Sequence, residues 1–212
     1  MKIAYKIIMP ILTLAIFPVL IFLPILHLNI TSSLAGSLSA NLGIPEYTSA
    51  FQIIKMVTGM EDTQSTLWQS IGKALMDKDG TLGSMFTSTG WLYAFAVFAA
   101  LMLLLALAAA VLSIVTRRYG LTTCITAGSL VSAFAMNKCF DAFAKPFLNG
   151  QISLSSLLSS GGDTSGILGS LLGSLAKVES LELAAAYSFA FFLLLCAVIF
   201  SAIVFIMKRN EK

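Results

Sequence analysis

Three stretches of this chain run without a single Asp, Glu, Lys or Arg for longer than a helix needs to cross a bilayer. They are 7–28 (IIMPILTLAIFPVLIFLPILHL), 91–116 (WLYAFAVFAALMLLLALAAAVLSIVT) and 183–207 (LAAAYSFAFFLLLCAVIFSAIVFIM). About 20 apolar residues cover the roughly 30 Å of hydrocarbon, so each reads as a transmembrane helix. A fourth stretch, 119–140 (YGLTTCITAGSLVSAFAMNKCF), is rich in Thr, Ser, Ala and Gly and carries Lys138. Along a helix Lys138 lies about 27 Å from Gly120. Its ammonium therefore reaches the far interface and snorkels into water.

Composition agrees. Hydrophobic residues make up 58% of the chain and charged residues 11%, against about 25% charged in soluble domains. The mean hydropathy is +0.91. A surface this apolar needs lipid to solvate it. The 212 residues make one membrane domain, with no room for a separate soluble domain of ordinary size.

Charge placement sets the span count. Lys2 and Lys6 precede the first span, Arg117 and Arg118 fill the turn between the second and third, and Lys208, Arg209 and Lys212 follow the fourth. Four spans put all of these on one side, which the positive-inside rule makes cytoplasmic, together with both termini. The outer loops, 29–90 and 141–182, hold nine of the ten acidic residues. Three or five spans would split the basic flanks between the two sides. The first apolar run exceeds the roughly 7–15 residues of a signal-peptide core, and no A-x-A site follows, so it reads as a retained span. Pro18 and Pro24 each remove a backbone donor, and a kink is expected at both.

Two further patterns shape the expected fold. The second and fourth spans both open Y-x-F-A-x-F, from Tyr93 and from Tyr187. This is compatible with a tandem duplication of hairpins about an axis along the membrane normal. In the outer loops, apolar residues recur at helical spacing in 47–60, in 63–77 (Leu67, Trp68, Ile71, Leu75) and after Asp163 (Leu168, Leu171, Leu172, Leu175). The expected fold is thus all-α: a four-helix transmembrane bundle with amphipathic helices in two extracytoplasmic loops, packed as a cap. Trp68, Ile71, Leu168 and Leu172 are its candidate contact residues.

Small residues four apart allow spans to approach closely. The candidate packing positions are Ala96 with Ala100, Gly128 with Ser132, and Ala197 with Ser201. The third span, the least oily, is expected at the bundle centre.

The search for chemistry finds little. His27 is the single histidine, and Cys124, Cys139 and Cys196 form no CxxC, so neither metal nor disulfide framework is expected. There is no HExxH, GxSxG or phosphate-binding loop. Asp77-Lys-Asp79-Gly80 lacks the later acidic ligands of a calcium loop and reads as a turn. No charged group lies at the centre of a span, as coupled transport would demand. No basic stripe with interleaved aromatics supports nucleic-acid binding. No catalytic or cofactor-binding residue is assigned.

Cytoplasmic termini, a tight inner turn and two outer loops resemble the layout of tetraspanins and claudins, in topology alone. Their extracellular cysteine motifs are missing, so no residue roles follow. The expected function is that of a non-enzymatic scaffold or interaction subunit in the cell membrane. It would bind other membrane proteins or copies of itself through the outer cap and the small-residue helix faces. The alternative is a subunit of a transport, export or lipid-handling complex, with Pro18, Pro24 and Ser129 lining a path.

Overall fold

The computed structural model describes residues 2–32, 36–37, 47–52, 87–116, 118–149 and 176–210. They are mostly helical. In chain order the elements are α1 (Lys2–Leu14), α2 (Ile16–Phe22), β1 (Pro24–Ser32), β2 (Gly36–Ser37), β3 (Tyr47–Ser49), α3 (Thr87–Val115), α4 (Tyr119–Leu148), β4 (Ala176–Leu183) and α5 (Ala185–Asn210). Four helical segments are long and apolar enough to cross a membrane: Ala4–Phe22, Ala94–Val115, Tyr119–Pro146 and Ala185–Asn210. The chain is a multi-pass membrane protein.

The chain divides into two units. One comprises Met1–Leu23, Tyr93–Cys139 and Ala185–Lys212; the other comprises Pro24–Leu92 and Phe140–Ala184. In the first unit α4 touches every other span. Tyr5 of α1 meets Tyr119 edge-on, ring centroids 4.9 Å apart. Ser129 Oγ donates to the Met102 carbonyl of α3 at 2.8 Å. Tyr187 Oη of α5 donates to the Ala133 carbonyl at 3.2 Å. Helices α1 and α2 also pack on α5. The outward positions are apolar: Val97, Leu104 and Val115 are 63%, 64% and 72% exposed. In water such a surface would be a liability, and in lipid it is matched to its solvent.

Hydroxyls inside this unit solve their desolvation locally. Thr13, Thr126 and Ser132 donate to carbonyls one turn back, those of Met9, Thr122 and Gly128, at 2.8, 2.8 and 2.9 Å. This backbonding lets a Ser/Thr-rich helix sit in an apolar bundle.

Prolines shape the first span. The residue one turn before Pro18 is Leu14, and its carbonyl loses the donor that Pro18 lacks; α1 ends at Leu14 and α2 begins at Ile16. Pro24 does not kink a helix, contrary to expectation. It disfavours helical backbone at the residue before it, and Leu23 is extended, φ −80° and ψ 155°. The first span therefore stops at Phe22 rather than Leu28, and Pro24 opens β1, a position where a missing N–H is tolerated.

The all-α expectation is corrected by the second unit, where the described residues include a four-stranded antiparallel sheet. Strand β1 is central: β4 lies along one edge, and β2 and β3 share the other. The cause is a period of two. Leu26-His27-Leu28 faces Leu181-Glu182-Leu183, with Leu26 opposite Leu183 and Leu28 opposite Leu181. These leucines fall on one face with Thr48, the partner of Leu26 on β3. Leu28 and Thr48 are buried. His27, Tyr47 and Glu182 take the other face, the alternation common in antiparallel sheets, and the Ser180 hydroxyl on that face is buried without a hydrogen-bond partner among the described residues. A register shift between Asn29 and Ile30 leaves Glu179 as the extra residue of a bulge.

Other boundaries also differ from the sequence reading. Residues 47–49 are strand, and helix starts only at Ala50. The start is a capping box: Gln52 N–H donates to Ser49 Oγ at 3.2 Å, and Ser49 N–H donates to Gln52 Oε1 at 2.8 Å. The third helix runs past Phe140 to Leu148, and the fourth begins at Ala185 and reaches Asn210. Within α4 the first unit gives way to the second after Cys139, one residue beyond Lys138. The cap helices over 63–77 and 163–175, with Trp68, Ile71, Leu168 and Leu172, lie outside the described residues. Strand β1 follows the first span while β4 precedes the fourth, so the described strands do not occupy matching places in the two hairpins.

Candidate functional site

Among the described residues two places gather side chains with chemistry, one in each unit. In the sheet, His27 is the register partner of both Tyr47 and Glu182. Directly opposed residues share a face, so Tyr47, His27 and Glu182 form one row across three strands. The His27 and Tyr47 rings stack, centroids 4.6 Å apart with 20° between planes. Tyr47 is 54% exposed, Glu182 is exposed and His27 is half-buried. The row offers an aromatic face, an imidazole and a carboxylate side by side. Phe51 and Trp91, of the same unit, are also exposed.

In the helical unit, an aromatic knot joins α1, α4 and α5. Tyr5 and Met9 are fully buried against Tyr119 and Ala197, with Phe200 and Val204 packed around them. Tyr5 stacks on Phe200 at 6.0 Å. Lys208 Nζ lies 5.6 Å from the centre of the Tyr119 ring, a cation–π contact. Helix approach is tight here: a Cβ at Gly120 would meet Phe205 Cε2 at 3.0 Å. The Tyr5 hydroxyl is buried and makes no well-formed hydrogen bond among the described residues. The neighbouring Thr122 hydroxyl gives its own proton to the Arg118 carbonyl, 3.4 Å away.

The packing candidates divide. Gly128 faces Leu105, whose Cδ1 would lie 3.4 Å from an added Cβ; Ser132, Ala197 and Ser201 are buried. Ala96 and Ala100 are exposed, on the outward side of α3. Pro18 is exposed, whereas Ser129 is fully buried. Cys124 is exposed, Cys139 buried and Cys196 half-buried, all as free thiols. Among the described residues no three of His, Cys, Asp and Glu gather to hold a metal ion.

Sequence reasoning placed His27 at the outer end of a span and missed the row. The usable signal was the pair of short alternations, Leu-His-Leu and Leu-Glu-Leu. The capping box was equally legible as Ser49-x-x-Gln52. No family model, no curated protein and no solved structure matches the chain.

Proposed function

We propose that the chain is a non-enzymatic scaffold or interaction subunit of the cell membrane, binding other membrane proteins or further copies of itself. The observation that carries this is the Tyr47–His27–Glu182 row, set on the polar face of a sheet whose other face is leucine. Exposed aromatics such as Tyr47, Phe51 and Trp91 are the side chains enriched at protein-binding surfaces. The exposed pair Ala96 and Ala100 supports the same reading within the bilayer, because small residues four apart let a second helix come close. Both termini lie in the cytoplasm on this reading, with the two long loops on the opposite side, in keeping with the basic flanks. The conduit reading draws less support, since Pro18 is exposed while Ser129 is buried against Met102. The shared Y-x-F-A-x-F starts support a tandem duplication of hairpins.

The test is in-cell photo-cross-linking from Tyr47 and from Ala100, each replaced by a photoreactive phenylalanine, followed by mass spectrometry. Adducts to a membrane protein or to a second copy are expected at one or both positions and not from buried Ala109. A chain that yields no adduct from either position and runs as a monomer in mild detergent defeats the proposal.

A further inference from the structure

At one end of the helical unit the charges of the described residues are all of one sign. Helices α1 and α4 begin there, and α5 finishes there, because Tyr5, Tyr119 and Lys208 meet in the aromatic knot. Lys6 is next in the chain to Tyr5, and Arg118 next to Tyr119. Lys6, Arg118 and Arg209 are exposed, and no carboxylate pairs with them among the described residues. Neither α1 nor α4 has an acidic residue in its first turn. A helix N-terminus already carries about half a positive charge and prefers anions. Arg118, at the start of α4, therefore sits where a cation weakens its own helix. Lys208 and Arg209, in the last turn of α5, favour their helix. The described cations at this end nevertheless share one positive field, against Glu211 as the single acidic residue of the basic flanks. A bilayer supplies the complement at this depth, since phosphates lie where apolar helices end.

We infer that this end of the bundle is a docking surface for anionic phospholipid headgroups, centred on Lys6, Arg118 and Lys208. The contact between Lys208 and Tyr119 holds one ammonium in place before lipid arrives, so less side-chain freedom is lost on binding. The tight approach of α4 to α5 at Gly120 keeps the cations of both helices together. The inference rests on the four spans and is independent of what the outer sheet binds.

The test uses the full chain in nanodiscs of phosphatidylcholine mixed with phosphatidylglycerol. Lipids that stay bound on release into mild detergent are read by native mass spectrometry. Wild-type protein is expected to retain phosphatidylglycerol above its share of the disc. R118Q and K208Q are each expected to cut that enrichment about fivefold, the worth of one basic residue at an anionic surface. K208R, which keeps the charge, and K145Q, which removes an exposed cation of the other unit, are expected to behave as wild type. Circular dichroism on each variant separates lost lipid from lost fold. Retention in proportion to the disc composition overturns the inference, as does an equal loss in K145Q.

Discussion

Tyr5 concentrates the energetics of the helical unit in one side chain. Its ring joins three helices through Tyr119 and Phe200, and its volume fills a fully buried site. Its hydroxyl is buried beside Thr122 and makes no well-formed hydrogen bond among the described residues. A buried polar group left unpaired costs about 1–3 kcal/mol. Tyr5→Phe keeps the ring and removes the cost, so thermal unfolding in detergent, followed by circular dichroism, is expected at the wild-type midpoint or above. A destabilisation beyond about 1 kcal/mol would mean the hydroxyl has a partner in the protein. Ser129 shows the opposite case: its hydroxyl bridges α4 to the Met102 carbonyl of α3, which makes it a structural contact rather than a lining group of a path.

At the scale of elements, the pairing of β1 with β4 joins segments from opposite ends of the sequence. Its register is specific, because a slip of one residue would move every leucine to the polar face. In a background with Cys124, Cys139 and Cys196 replaced by alanine, Leu28→Cys with Leu181→Cys is expected to form a disulfide under mild oxidation. Leu28→Cys with Ser180→Cys, which point to opposite faces, is expected not to. Equal cross-linking of the two pairs, read as a mobility shift on non-reducing gels, would contradict the register. The spans were legible in the sequence for a plain reason: long runs free of charge have few other solutions. The sheet was not, because β1 continues the apolar run of the first span and its partner lies far along the chain. Leu26 and Leu28 satisfy the composition of a span as well as the alternation of a strand. Pro24 decided between them, by ending the helix at Phe22 rather than bending it. The same limit hid the Tyr47–His27–Glu182 row, whose members come together only through that pairing.

At the scale of the whole molecule, charge and hydropathy agree on one arrangement. On the proposed topology the four apolar helices carry the basic flanks to one face of a membrane and the two long loops to the other. The scaffold and lipid readings both depend on this arrangement. The most direct measurement is labelling of single cysteines, placed in the cysteine-free background at Lys6, Arg118, Arg209, Tyr47 and Glu179, with a membrane-impermeant maleimide on intact cells and on opened membranes. Four spans predict that Tyr47→Cys and Glu179→Cys react in intact cells, while Lys6→Cys, Arg118→Cys and Arg209→Cys react only after the membrane is opened. Arg118→Cys and Glu179→Cys reacting from the same side would contradict the four-span account.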